Sequence, residues 1–155
     1  MKAITFLDMD VVLSIHERMI QEFGGGSGLR DPGLLESAVA MPSAAFGGQF
    51  LHDDLPAMTG AYLFHLCKNH PFVDGNKRVA LATAITFLLV NDYELICSKP
   101  DAEQLTLGVA DGSISKDEVI AFFRKHVRSA KAEKAKREAG AKPAKSSAAR
   151  RKKSS

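Results

Sequence analysis

Residues 70–90 read HPFVDGNKRVALATAITFLLV, a polar loop followed directly by a run in which only Thr83 and Thr86 are polar. Proline and glycine break regular structure in the loop, whereas the apolar run contains no breaker and predicts an α-helix from residue 76 or 77 to about residue 90. Because this helix is apolar on nearly every face, we expect it at the centre of a small helical domain. The loop then ends at a helix N-terminus, where free backbone N–H groups attract anions.

Apolar periodicity, capping residues and breakers predict five further helices. The first follows a capping aspartate, Asp8, and stops at the glycine-rich residues 24–28 (GGGSG). Asp31 with Pro32 begins the second helix, and a capping box of Ser115 and Glu118 begins the last one. The predicted helices cover residues 9–23, 32–40, 55–69, 98–111 and 115–128.

Two segments between these helices are predicted to be non-helical. Residues 41–53 place two adjacent glycines between aromatic residues and suit a hairpin or an irregular flap. Residues 93–97 suit a brief extended segment. With 155 residues, of which 45% are hydrophobic, the chain can bury one ordinary core. The predicted fold is all-α, a compact helical bundle with a short flap, and its single domain spans residues 1–128.

The C-terminal residues 129–155 differ sharply from the rest of the chain. They contain ten Lys or Arg against two Glu, a charge of +8, which leaves −5 for residues 1–128. Without large apolar side chains this segment cannot repay its ordering entropy, so it is predicted to be a disordered basic tail with at most transient helix over residues 129–139. Since the tail sets the sequence pI near 8.9, that pI is no evidence that the folded part binds nucleic acid.

The two cysteines and the hydropathy pattern indicate the compartment. Cys67 and Cys97 lie thirty residues apart in apolar runs, a spacing that matches neither a zinc site nor a redox pair, so buried free thiols are expected. No apolar stretch reaches the roughly 18 residues of a membrane span. The sequence therefore predicts a cytoplasmic protein without a membrane partner.

The loop HPFVDGNKR combines side chains that suit phosphate chemistry. His70 is the candidate general base, since imidazole titrates near neutral pH and can take a proton from an attacking hydroxyl. Asp74 is the candidate Mg²⁺ ligand, because that ion takes few protein oxygens and completes its shell with water and phosphate. Phe72, between them, is expected to anchor the loop in the core.

The remaining positions of the loop are candidate nucleotide ligands. Gly75 has no Cβ to block the approach of backbone to a phosphate, and the Asn76 amide can either donate to a phosphate oxygen or brace the loop. Lys77 and Arg78 supply two cations, of which Arg78 can clamp two phosphate oxygens at once. The other histidines indicate no metal hydrolase, because the chain has no HExxH pattern, and His16 and His126 are expected to be structural.

With these residues in view, the chain resembles the Fic/Doc family, whose loop reads HxF, one residue, Asp or Glu, GN, Gly or Lys, and Arg. The segments GLRDPGLLESA (28–38) and FGG (46–48) are similar to the death-on-curing (Doc) toxin branch, so the resemblance covers roughly residues 4–125. It implies a helical Fic/Doc-type fold, ATP and Mg²⁺ as cofactors, and the roles given above to His70, Asp74 and residues 75–78.

Two positions bear on the reaction that the resemblance implies. Family members that transfer AMP usually have a second Gly and a second Arg in GNGRxxR, where this chain has Lys77 and Leu81. Similarity to Doc-type toxins implies instead that ATP binds in an inverted orientation and that the protein phosphorylates translation elongation factor Tu, which stops translation. The flap near residues 46–53 would align the target segment.

The resemblance also implies a regulator. Some Fic proteins carry an inhibitory helix of pattern Ser or Thr, three residues, Glu, and Gly or Asn, and the nearest match here, SAKAEK at 129–134, lacks the last residue. Inhibition in trans by an antitoxin is therefore expected, through a segment that folds into a groove between helices.

The leading hypothesis is a toxin that is a protein kinase of the Fic/Doc type, and two alternatives stay open. One is transfer of AMP or another nucleotidyl group to protein hydroxyls on the same scaffold. The other is a non-enzymatic binding module whose basic tail contacts nucleic acid or an acidic partner. The tail has no aromatic residues for base stacking, so any nucleic-acid contact would be non-specific.

Overall fold

The computed structural model describes residues 3–140 and contains helices joined by short loops, with two small antiparallel hairpins. In chain order its elements are α1 (Met9–Phe23), α2 (Pro32–Ala40), β1 (Ala45–Phe46), β2 (Gln49–Phe50), α3 (Leu55–Asn69), α4 (Asn76–Val90), β3 (Tyr93–Leu95), α5 (Lys99–Asp111), α6 (Lys116–His126), β4 (Val127–Ser129) and a helix over residues 130–140 (α7). The predicted all-α bundle with a short flap is confirmed.

Capping side chains explain why these helices begin where they do. At the start of five helices, a side-chain oxygen of the N-cap residue accepts a hydrogen bond from the backbone N–H three residues later, which satisfies one of the free donors of the first turn. In α6 the Glu118 side chain also accepts from the Ser115 N–H, so the predicted capping box is present. The N-caps of this type are Asp8, Asp31, Asp54, Ser98 and Ser115.

The core is built around two helices, α3 and α4. The predicted central helix α4 buries Val79, Phe87 and Leu88 among others and contacts α1, α3, α5 and β3. Helix α3 buries still more residues and contacts α2, α4, α5 and α6. Gly60 permits the close approach of α3 to α6, because a Cβ at this position would lie 2.8 Å from Ile120 Cγ1. The centre of the fold is therefore the α3–α4 pair, and the loop that joins them is residues 70–75.

The flap is a tight hairpin of β1 and β2. Ala45 pairs with Phe50 and Phe46 with Gln49, and the intervening Gly47 and Gly48 have φ of +59° and +80°. Two successive positive φ values are the requirement of a type I′ turn, which glycine meets without strain. Phe46 at the tip is 82% exposed. The hairpin predicted for residues 41–53 is thus present.

The chain beyond α6 forms a short strand and a further helix. The last helix ends at His126 because Val127 turns to extended backbone, and β4 then pairs with β3 in the register Tyr93–Ser129 to Leu95–Val127. Residues 130–140 form α7, over nearly the residues for which the sequence allows at most transient helix. Strand pairing holds the start of this segment, an Arg137–Glu94 ion pair of 3.2 Å ties α7 to β3, and alanine and lysine favour helix. The remainder of the predicted tail, residues 141–155, lies outside the described residues.

Two buried side chains attach the N-terminal segment to the bundle. The Tyr62 hydroxyl accepts from Leu7 N (2.8 Å) and donates to Leu7 O (3.2 Å). Asn91, at the end of α4, binds both the N–H and the C=O of Thr5. Both cysteines are free, as predicted, although Cys97 is only half-buried. Among residues 3–140, no helix is both long and apolar enough to cross a lipid bilayer.

The half-buried imidazole of His65 on α3 makes stability depend on pH. Its Nε2 is buried without a hydrogen-bond partner among the described residues. Burial, with smaller effects of Lys116 and His52, lowers the pKa of His65 to about 4. An unfolded chain binds this proton near pH 6.5 and the folded chain only near pH 4, so stability is lost as the pH falls between these values.

We therefore expect the free energy of unfolding of the wild type to fall between pH 7.5 and pH 5, with about 1 kcal/mol of the loss due to His65 after allowance for its partial exposure. Urea denaturation at the two pH values measures this loss. His65→Leu should reduce this pH-dependent loss of unfolding free energy by about 1 kcal/mol, and Lys116→Gln should reduce it by less. If His65→Leu loses as much unfolding free energy between the two pH values as the wild type does, the loss is not due to His65.

Candidate functional site

The candidate site is the loop of residues 70–75 between α3 and α4, and its first residue has an unusual backbone. His70 caps α3 in the left-handed conformation (φ 50°, ψ 53°), and its side chain is exposed. Arg30 fixes this turn, since its Nε donates to His70 O (2.8 Å) and its Nη2 to Asn69 O (3.1 Å). The backbone of the predicted base, His70, is therefore fixed by Arg30, a residue that lies outside α3.

The segment before α2 runs alongside the loop and pairs with it. The N–H groups of Arg30 and Asp31 both donate to Pro71 O, at 2.7 and 3.0 Å, and Val73 N donates to Gly28 O at 3.1 Å. This short antiparallel contact satisfies loop carbonyl and amide groups that would otherwise depend on water. The GLRD segment thus acts as a support for the loop.

Phe72 anchors the loop in the core, as predicted. Its side chain is 1% exposed, and its ring stacks on the buried imidazole of His16 with centroids 3.9 Å apart and planes within 6°. His16 Nε2 also donates to Asp74 O at 2.9 Å. His16 is therefore structural, as expected, but the structure that it supports is the candidate site itself.

Asn76, the first residue of α4, braces the turn. Its Oδ1 accepts from Phe72 N (2.9 Å) and its Nδ2 donates to Phe72 O (3.0 Å), and the residue is only 5% exposed. Of the two roles that the sequence left open for this amide, the structure shows the bracing one.

Asp74 presents an exposed carboxylate that is oriented by backbone donors. Oδ2 accepts from Gly26 N (3.2 Å) and Oδ1 from Gly75 N (2.8 Å). These bonds, with Gly26 the larger influence, hold the pKa of Asp74 below its ordinary value. The nearby charges of Arg78 and Lys77 act in the same direction. The carboxylate is therefore ionised at neutral pH and available to a cation.

The N-terminus of α4 is open next to this carboxylate. Its N-cap, Gly75, lies in the left-handed region (φ +80°) and supplies no side-chain cap, so the first N–H groups of a fifteen-residue helix face outward. Lys77 and Arg78 are exposed at the same end, and the Arg78 guanidinium lies 4.7 Å from the ring centroid of Phe23. Such a terminus is suited to bind phosphate.

Comparison with known proteins identifies the family of the chain. A family model described as the Fic/DOC family matches residues 6–88, which is more than half of the chain. The chain belongs to the Fic/Doc family. It is 32% identical over 114 residues to a protein named Protein kinase doc of Escherichia phage P1, a match that covers 74% of this chain and 89% of that relative. It is 47% identical over 73 residues to Toxin Doc of Mycolicibacterium smegmatis, covering 47% of this chain and 56% of the relative.

The carboxylate at this site fits Mg²⁺ better than it fits a metal ion whose ligands are all protein side chains. No group of three or more His, Cys, Asp or Glu among residues 3–140 is placed to hold a metal ion. Mg²⁺ does not need one, because it binds proteins through one or two carboxylates and takes its other ligands from phosphate and water. The single carboxylate of Asp74 beside an open helix N-terminus is such a donor set.

Sequence reasoning did not identify three supports of the Fic/Doc loop. In the sequence, Arg30 stands out only as part of the segment GLRDPGLLESA, His16 has no predicted contact, and the glycines at 24–28 predict only the end of a helix. A positive charge and glycines just before a helix cap are weak signals, because nothing local in the sequence shows which distant carbonyl or carboxylate they reach.

Asn76→Ala should loosen the loop without disturbing the far end of α4. Removal of the amide leaves Phe72 N and O unpaired in a buried setting and should cost about 1–3 kcal/mol of stability. Amide hydrogen exchange measures the local effect, and we expect much faster exchange at Phe72. Asn91→Ala is the matched control, since this buried asparagine braces Thr5 in the same way. Faster exchange at Thr5 in Asn76→Ala, or at Phe72 in Asn91→Ala, would contradict this division.

Proposed function

We propose that this protein is the toxin of a toxin–antitoxin pair and that it transfers the γ-phosphoryl group of ATP to a Ser or Thr hydroxyl of a translation factor, elongation factor Tu being the target that the Doc resemblance suggests. The observation that supports this most directly is the open N-terminus of α4, flanked by the exposed His70 and the ionised Asp74. Transfer of this kind would arrest translation.

The proposed chemistry needs few groups from the protein. The His70 imidazole takes the proton of the target hydroxyl as its oxygen bonds to the γ-phosphorus, and the bond from that phosphorus to the bridging oxygen breaks to release ADP. Mg²⁺, held by Asp74, would neutralise charge on the phosphates. In-line transfer depends mainly on such positioning and charge neutralisation.

The nucleotide phosphates are proposed to lie over the first turn of α4. Backbone N–H groups and the helix dipole there favour anions, and the absence of a Cβ at Gly75 allows close approach. Lys77 and Arg78 add two exposed cations. The contribution of Asn76 is to keep the turn in shape, through its two bonds to Phe72.

Two side chains favour phosphoryl transfer over transfer of AMP. Lys77 stands where AMP-transferring relatives have a glycine, so this position carries an exposed cationic side chain in place of bare backbone. Leu81, one turn further, is apolar and half-buried, so it cannot clamp a distal phosphate as an arginine would. The name of the phage relative, Protein kinase doc, points the same way. Transfer of AMP stays the alternative.

The flap is proposed to align the target segment. β1 and β2 form an isolated two-stranded hairpin, so their outer edges offer backbone groups to an extended peptide. Phe46 at the tip is exposed, while Phe50 is tied to the body by contact with Phe6 at 5.6 Å between ring centroids. A hairpin that is fixed at its open end and exposes an aromatic side chain at its tip is suited to bind a peptide.

The antitoxin is proposed to enter the groove between α1 and α4. This groove encloses about 490 Å³, and its lining includes the apolar residues Val11, Ile15 and Met19 and the charged residues Asp8 and Arg18. Because α1 ends beside Asp74 and Phe23 contacts Arg78, a segment bound in the groove would come close to the nucleotide end of the site.

The position of a radiolabel distinguishes the two reactions. Purified protein incubated with bacterial lysate, Mg²⁺ and ATP labelled at the γ position should label a target protein, whereas ATP labelled at the α position should not. His70→Ala should abolish labelling and keep the fold, because the side chain is exposed and the backbone turn is held by Arg30. Label from the α position would overturn the kinase assignment in favour of nucleotidyl transfer.

Asp74→Asn tests the metal ligand. The amide keeps the size of the side chain but removes the charge, so we expect Mg²⁺-dependent ATP binding to weaken by at least tenfold in titration calorimetry, with little change in binding measured in EDTA. Lys68→Gln, a charge change at an exposed position on α3, serves as the control. An unchanged Mg²⁺ dependence in Asp74→Asn would exclude this carboxylate as the metal ligand.

A further inference from the structure

We propose that His16 and the turn formed by Gly25 and Gly26 are positioning residues that fix the direction of the Asp74 carboxylate before metal or nucleotide binds. This inference deepens the proposed function and rests on it for the role of Asp74, but the contacts themselves are those of the free protein. Both supports come from one stretch of chain, since His16 lies on α1 and the two glycines follow Gly24, the C-cap of that helix.

Three hydrogen bonds define where Asp74 lies. His16 Nε2 donates to its main-chain oxygen (2.9 Å), Gly26 N to Oδ2 (3.2 Å) and Gly75 N to Oδ1 (2.8 Å). Each carboxylate oxygen therefore has one backbone donor and keeps a lone pair that faces solvent. An exposed aspartate would otherwise rotate among several rotamers, and here two donors select one.

Gly25 is the position that leaves room for this arrangement. A Cβ on Gly25 would lie 2.7 Å from Asp74 Oδ2 and 3.2 Å from its Cγ. Because the atom that it meets is the end of a side chain and not backbone, a methyl group here would displace the carboxylate more readily than it would unfold the loop. The Gly26 N–H bond would then be lost.

His16 holds the main chain of the same residue in two separable ways. Its ring stacks on Phe72, and its Nε2 donates to the Asp74 carbonyl. The imidazole is buried, so neither contact competes freely with water. His16→Phe keeps an aromatic ring against Phe72 and removes the donor, whereas His16→Gln keeps an amide donor and removes the ring.

The expected consequence is a cost in metal affinity when the support is removed. A group that orients a metal ligand typically contributes 10- to 100-fold to metal affinity, because the ligand no longer has to be ordered when the ion arrives. A purely structural role would change stability alone and leave the metal dependence of the reaction unchanged.

The test compares Gly25→Ala with Gly24→Ala. Both glycines have positive φ (+114° and +81°), so alanine is strained at both, but a Cβ on Gly24 meets nothing within 4 Å. Two measurements are made on the full chain: the backbone amide spectrum of the free protein, and Mn²⁺ binding in the presence of ATP by electron paramagnetic resonance. His16→Phe and His16→Gln are measured alongside, in case Gly25→Ala fails to fold.

We expect Gly25→Ala to shift the Gly26 amide resonance upfield, towards that of an N–H without a carboxylate partner, and to weaken Mn²⁺ binding about tenfold or more. Gly24→Ala should leave both unchanged. His16→Phe should weaken Mn²⁺ binding, with partial rescue in His16→Gln. Equal Mn²⁺ affinity in Gly25→Ala and Gly24→Ala, or in His16→Phe and the wild type, would overturn the proposal. Failure of the kinase assignment would show instead as absent γ-label in the wild type.

Discussion

The candidate site depends on two hydrogen bonds between the side-chain amide of Asn76 and the main chain of Phe72. They close the loop on itself at the point where α4 begins, and they are buried, so the turn has one shape. With that turn closed, Phe72 is directed into the core against His16, while His70, Asp74 and Arg78 are left outside. The division between a buried frame and an exposed set of reactive groups follows from this one contact.

Local signals accounted for most of the fold. Side chains such as Asp8, Asp31 and Ser115 cap helices through bonds to residues three positions away, and a pair of glycines closes the flap, so these features are written within a few residues of sequence. The predicted helix boundaries therefore agree with the structure from α1 to α5. The loop HPFVDGNKR was likewise recognisable because its reactive side chains are contiguous.

Contacts between distant segments account for what could not be predicted. Residues 127–129 form a strand because they pair with β3, and the sequence of either segment alone does not predict this pairing. In the same way, Arg30 reaches the carbonyl of His70 forty residues away, and Gly26 donates to Asp74 across forty-eight. The candidate side chains of the site are named by composition and spacing alone, whereas the residues that orient them depend on packing.

The pairing of β3 with β4 has a consequence for what the chain can hold at one time. β3 follows the C-terminal end of α4, whereas the reactive loop precedes its N-terminal end, so the two are separated by the length of a fifteen-residue helix, roughly 22 Å. β4 and α7 are thus attached at the end of α4 opposite the loop. A tether, label or polyanion attached to β4 or α7 would leave the loop accessible. The protein can therefore be anchored at one end of α4 while the loop at the other end stays free to bind.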